Sequence, residues 1–177
     1  MLSARALRVP GRLTLDRPDL SATTKLLVTG ENGTGKSTLL AILAGTLTPE
    51  SGTITHRQGL RIGILPQDVT FAHREKTVRE TYNAETPLAE LGLLPQSAYP
   101  TPVGTLSTGQ RRRLALALLI ARAPQLLFLD EPTNHLSPTL AEELEQAPKA
   151  APGAIVIATH DRWLRRNWAD EELRLPG

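Results

Sequence analysis

Four short apolar runs punctuate the chain, at residues 26–29, 61–65, 126–129 and 154–158, each bounded by polar or glycine-containing segments. Runs of this length, rich in leucine, isoleucine and valine, suit buried strands better than helices. Between them the period changes. From Lys36 onward the segment Ser-Thr-Leu-Leu-Ala-Ile-Leu-Ala reads as helix, and Leu114, Ala117, Leu118 and Ala121 recur at helical spacing behind Ser107. Ser107 with Gln110 three residues on is a capping box that fixes where that second helix starts. Strand-like runs alternating with helical segments predict an α/β layered fold with a parallel central sheet, built as one domain over residues 1–177. Ligands of such sheets bind at the carboxyl ends of the strands. Residues 68–105 are the least regular part, because Pro87, Pro95, Pro100 and Pro102 break any long helix. They are expected to form an insertion of one or two short helices. Ser137-Pro138 makes a good helix start, and residues 146–153 read as an ordinary connection into the last apolar run.

The strongest chemistry sits where the first strand meets the first helix. Gly30-Glu31-Asn32-Gly33-Thr34-Gly35-Lys36-Ser37-Thr38 fits the phosphate-binding pattern G-x-x-x-x-G-K-[ST]. Glycines at such a junction permit backbone conformations that turn successive N–H groups onto phosphate oxygens, and the positive end of the helix dipole adds to them. Gly30, Asn32, Gly33, Gly35 and Thr38 thus become candidate contacts to a nucleoside triphosphate. Lys36 should reach its β- and γ-phosphates, and Ser37 should ligate Mg²⁺. A second carboxylate-bearing strand should follow, and Leu126-Leu127-Phe128-Leu129-Asp130-Glu131 supplies one. Asp130 is placed to hold the metal through water, and Glu131 to polarise the attacking water. Acidic pairs after a strand are usually turn residues or caps. The phosphate loop upstream favours the catalytic reading.

Three further features resemble one family. Leu106-Ser107-Thr108-Gly109-Gln110 resembles the signature motif of ATP-binding cassette (ABC) proteins, Gln67 after Leu65-Pro66 resembles their glutamine loop, and His160 after Ala158-Thr159 resembles their switch histidine. Taken with the phosphate loop and Asp130-Glu131, these stand in the family's order across residues 30–160. The resemblance implies an ABC-type P-loop ATPase that binds ATP and Mg²⁺. Glu131, His160 and Gln67 would then act in catalysis, with Ser37, Gln67 and Asp130 around the metal. It also implies that Ser107 and Gly109 bind the γ-phosphate of ATP held by a second cassette, so that one cassette is an incomplete catalyst. Taken singly, Gln67 reads as a polar loop residue and His160 as a turn histidine; only the ordered set lifts them above that.

Asp130-Glu131-Pro132-Thr133-Asn134-His135-Leu136 and Thr159-His160-Asp161-Arg162 resemble the wording of ABC-F proteins, the tandem cassettes that act on ribosomes. The short interval from Gln67 to Leu106 fits that subfamily, and Gln110-Arg111-Arg112-Arg113 resembles the second cassette of its antibiotic-resistance members. The alternative is the ATP-binding subunit of a membrane transporter with a permease partner. Three positions depart from the pattern. Thr108 stands where glycine is commoner, Ser137 follows Leu136 where an aspartate is usual, and residues 1–70 hold no aromatic to stack on adenine. Leu7, Val9 and Arg12 are the candidates for that stacking role.

Composition adds limits. No run approaches the roughly twenty apolar residues of a membrane span and no signal-peptide core opens the chain, so a soluble, cytoplasmic protein is expected. The absence of cysteine excludes disulfides and thiol catalysis. A net charge of +2 does not by itself announce nucleic acid. The arginine clusters at 111–113 and at 162, 165 and 166 read as solvated helix faces.

Overall fold

The computed structural model describes residues 2–9, 13–15, 19–132 and 153–176. The chain forms two compact units, one of residues 1–67 with 125–177 and one of residues 68–124. The sequence suggested an insertion ending at 105; the second unit continues to 124 and takes in the signature helix.

In the first unit, β1 (Leu2–Val9), β2 (Leu13–Leu15) and β4 (Ser51–His56) make an antiparallel sheet in the order β2-β1-β4. A second, parallel sheet has the order β5-β6-β7-β3-β8, from β3 (Lys25–Thr29), β5 (Ile62–Leu65), β6 (Leu126–Asp130), β7 (Ala154–Thr159) and β8 (Glu171–Arg174). All four strands foreseen from the apolar runs lie in it. Every residue of β6 and β7 is buried, which is why those runs lack polar alternation.

One face of this sheet presents Leu26, Val28, Leu126, Phe128, Val156 and Ala158 to a single core. Helix α1 (Lys36–Leu43) supplies the facing layer through Leu39, Leu40, Ile42 and Leu43, the spacing of one helical stripe. Leu2, Ala4 and Leu7 of β1 close the same core. Removing a side chain such as Phe128 from it would cost about 3–5 kcal/mol. At the end of α1, the His56 ring Nε2 lies 2.8 Å from the Leu43 carbonyl and ties the antiparallel sheet to the helix that carries the phosphate loop. Helix α4 (Arg162–Asn167) follows β7, capped by the Asp161 carboxylate, which accepts from the amides of Trp163 and Leu164.

The second unit holds α2 (Val78–Thr81), α3 (Thr108–Ala121) and two single turns of 3₁₀ helix at Gln96–Ala98 and Val103–Thr105. The proline-rich stretch therefore forms short turns of helix, as its composition requires. Leu114 and Ala117 of α3 are buried as their spacing suggests, and so is Leu116. Ser137-Pro138 and most of the connection at 146–153 lie outside the described residues. Among the described residues no helix is long and apolar enough to cross a membrane.

Candidate functional site

Parallel register brings the candidate residues to the carboxyl end of the sheet. Thr29 pairs with Thr159 and Asp130 with Ala158, while Leu65 pairs with Leu129. The loops leaving β3, β5, β6 and β7 thus begin at the same level, and they carry the phosphate loop, Gln67, Glu131 and His160.

The loop itself turns through Gly33 at φ 84° and Gly35 at φ 94°, a region where a side chain would be strained. Gly35 serves as the N-cap of α1 and offers no side-chain cap, and the first turn has no acidic residue. The amides of that turn are therefore left for an anion. Lys36 is buried, and its Nζ donates to the carbonyls of Gly30 at 2.9 Å and Glu31 at 3.0 Å. Thr34 braces the same turn, its hydroxyl donating to the Glu31 carbonyl at 3.0 Å.

Opposite the loop stands Glu131, also buried, whose Oε1 accepts from His160 Nδ1 at 2.8 Å and lies 3.7 Å from Lys36 Nζ. Its Oε2 accepts more weakly from the Thr159 hydroxyl at 3.3 Å and from the His160 amide at 3.4 Å. The carboxylate is thus held between the buried lysine of the glycine-rich loop and the histidine at the next strand's end. That His160 ring stays half-exposed on its outer side, with 45% of its side chain accessible.

A cavity of about 390 Å³ lies between these groups. Asn32, Gly33, Gly35, Lys36, Ser37 and Thr38 line it from the loop side, and Gln67, Glu131 and His160 from three strand ends. Each of these is a candidate that the sequence named, and the structure brings them together here. Gly30 instead faces a neighbouring cavity, and a Cβ added to it would meet Thr34 Oγ1 at 2.7 Å. Asp130 is buried at the end of β6 but is not among the cavity's lining residues. Ser37, Gln67 and Asp130 offer only oxygen donors of the kind a hard cation such as Mg²⁺ takes, and two of them face the cavity, so the donor set fits the ion.

Ser107 and Gly109 belong to the second unit, at the start of α3. The capping box forms there, with Gln110 N donating to Ser107 Oγ at 3.2 Å and Ser107 N to Gln110 Oε1 at 3.0 Å. Arg111 folds back on the same loop, donating to the Leu106 carbonyl at 2.8 Å and to Thr108 Oγ1 at 3.2 Å. The unusual threonine therefore has a partner that a glycine would lack. The arginine run here is no solvated face, because Arg112 is only 2% exposed and Arg111 and Arg113 are half-buried. Among the adenine candidates, Leu7 is fully buried in the core and cannot stack on a base. Arg12 and the side chain of Val9 lie outside the described residues.

Sequence reasoning missed Thr159, Thr34 and Glu172. The last accepts from both the Thr29 hydroxyl and Arg165 Nε at 2.6 Å, linking the strand before the phosphate loop to α4. A polar residue closing an apolar run was the available signal for Thr159; Glu172 gave none.

A glycine-rich loop between a buried strand and a helix, a lysine within it and an acidic pair ending a neighbouring parallel strand define a P-loop nucleoside triphosphatase. The family profile described as ABC transporter matches residues 17–134. The chain belongs to the ATP-binding cassette family of ATPases, and its resemblance to ABC-F cassettes holds. It is 43% identical over 176 residues to the tylosin resistance ATP-binding protein TlrC of Streptomyces fradiae, covering 94% of this chain and 32% of that protein. A probable ATP-binding cassette sub-family F member 3 homologue of Encephalitozoon cuniculi is 36% identical over 153 residues, covering 80% of this chain and 26% of its own. Among solved structures, cbiO1 of Clostridium perfringens, part of the ABC transporter complex cbiONQ, superposes with a TM-score of 0.73 at 26% identity over 98% of this chain and 84% of that one. The chain therefore spans about a third or a quarter of the length of the curated relatives it matches.

Proposed function

We propose that this chain is one cassette of an ABC-F-type ATPase, which binds and hydrolyses Mg-ATP at a site completed by a second cassette and acts on the ribosome in antibiotic resistance or control of translation. The observation that carries the hydrolytic part is the Glu131 carboxylate, buried between Lys36 and His160 at the mouth of the phosphate loop. Lys36 donates to two loop carbonyls; an arriving β,γ-phosphate offers stronger, charge-assisted acceptors and draws the ammonium across. That transfer weakens its attraction to Glu131 and leaves the carboxylate to orient a water in line with the γ-phosphorus. His160, hydrogen-bonded to Glu131 through Nδ1, keeps Nε2 for the phosphate side. Mg²⁺, when bound, supplies charge neutralisation across the phosphates, with Ser37, Gln67 and Asp130 as its holders.

The ribosomal part rests on the likeness to a tylosin resistance protein and a sub-family F homologue, together with the short interval between Gln67 and the signature. The second reading, an ATPase subunit driving a permease, is favoured by the likeness to a component of a transporter complex. Co-sedimentation separates them. The Glu131→Gln variant, in the polypeptide as the cell makes it, should pellet with ribosomes when ATP is present and not when ATP is withheld. Copurification with membrane proteins and no ribosome pelleting would establish the transporter reading instead.

A further inference from the structure

Helix α4 follows the switch histidine and carries an unusual surface. Arg162, Arg165 and Arg166 are exposed, and only Leu164 turns into the core, at 2% exposure. At 100° per residue the three arginines span one continuous face with Trp163 at its edge. Trp163 is 43% accessible and, with Leu47, is one of two exposed large apolar side chains among the described residues. Arg174, at the end of β8, lines the same cavity of about 540 Å³ as Arg162 and Arg165. Of these four guanidiniums, Arg165 alone has an ion pair among the described residues, with Glu172. The cavity's own carboxylates do not answer the rest: Asp161 is committed to capping α4, and Glu31 is exposed.

Part of this arrangement works against the stability of the fold. Arg162 and Arg166 are like charges four residues apart, and Arg162 sits at the positive end of the helix dipole; each effect disfavours the helix. An exposed indole adds lost burial. The offset is partial: Arg165 and Arg166 stand in the last turn, where cations suit the dipole, and Arg165 is paired with Glu172, whereas Arg162 and Trp163 have no such compensation among the described residues, as is expected where a surface is used.

We propose that this face binds RNA, with the arginines on backbone phosphates and the Trp163 ring stacked on a base. Guanidiniums beside an exposed aromatic are the two elements that single-stranded RNA recognition needs. Membrane binding is disfavoured because the helix has no exposed apolar stripe, its one leucine being buried. The inference does not rest on the ribosomal reading and can fail separately from it.

The test uses the full chain without ATP and a fluorescein-labelled single-stranded oligoribonucleotide. Binding should weaken linearly on a log–log plot against salt, and the emission of Trp163, isolated by subtracting the Trp163→Leu variant, should be quenched. Arg166→Glu with Arg174→Glu should weaken binding about tenfold or more and lower the salt slope by about 0.7 for each phosphate no longer neutralised. Trp163→Leu should weaken it about fivefold or more with the slope unchanged. Arg166→Lys should restore most of the affinity, which separates a charge effect from misfolding; unchanged circular dichroism serves the same end. Absence of binding, or affinity indifferent to the charge reversals, overturns the proposal. So does equal competition by polyglutamate, which would assign the face to an acidic protein, or by phosphatidylserine vesicles.

Discussion

Glu131 occupies a backbone conformation that a side chain resists, with φ at 47°. Such a residue costs on the order of 1–3 kcal/mol and persists only where its surroundings over-determine it. Here they do: its amide donates to the Ala158 carbonyl at 2.8 Å, and its carboxylate is held by His160 and Thr159. The turn aims the carboxylate back over the phosphate loop, whereas an extended residue would run on along the strand direction. Glu131→Gln preserves shape and removes the charge that we propose orients the attacking water, so steady-state ATP turnover should fall by about 10²–10⁴ while ATP affinity is kept. Thr159→Val removes one weak bond to the carboxylate, together with the acceptor of the Asp161 amide at 3.0 Å, and should lower kcat by a smaller factor with KM nearly unchanged. A Thr159→Val effect on KM alone would show that the hydroxyl serves nucleotide binding. The sequence named Lys36 and Glu131 from motifs local to them, and His160 only through the ordered set of motifs that resembles the family. It did not reveal that Glu131 and His160 touch, since that contact is made by strand register, between residues twenty-nine positions apart.

Elements were legible in proportion to how fully they are buried. The strands β3, β6 and β7 stand in the interior of the parallel sheet and read as apolar runs, and β5, at one edge, keeps enough burial at Gly63 and Leu65 for its run to be read. The edge strand β8, Glu171-Glu172-Leu173-Arg174, has one partly buried residue and no apolar pattern to find. β1 hides its alternation behind a bulge between Arg5 and Arg8, with Ala6 at φ 47°. Capping shows the same contrast. The box at Ser107 and Gln110 stood out because a periodic helix follows it, while the equal box at Thr77 and Glu80 opens the four-residue α2 and went unread. In that second box the Glu80 carboxylate accepts from the Thr77 amide at 2.7 Å and from its hydroxyl at 2.8 Å, and these bonds hold its pKa below the ordinary 4.5. A lowered folded-state pKa means that the unfolded chain binds the proton more readily. The stabilisation is therefore present in full above 4.5 and is lost as pH falls through the lowered value. Hydrogen exchange at the amides of α2 should be faster in Glu80→Ala than in the unaltered chain at neutral pH, and the difference should narrow in acid. A gap that does not change with pH would mean that the side chain acts through packing.

At the scale of the whole molecule, the motifs divide between the two compact units. Loop, Gln67, Glu131 and His160 belong to the first, and Ser107 with Gly109 to the second. One chain thus holds both halves of the composite site that the family resemblance implies, a loop to hold ATP and a signature to offer across to ATP on another cassette. Two copies related by a two-fold axis would supply each loop with the other's signature, since an isologous interface repeats the same pair of contacts twice. Slow hydrolysis should preserve that closed state. The Glu131→Gln variant should accordingly double its mass by light scattering when Mg-ATP is added. Adding Lys36→Ala should return it to monomer, because it removes the ammonium that we propose holds the bridging triphosphate. Dimer that forms without nucleotide would place the contact elsewhere on the surface. A monomer that binds ATP and never pairs would mean that the complementing signature belongs to a different cassette, an outcome compatible with a chain that spans only 32% of TlrC.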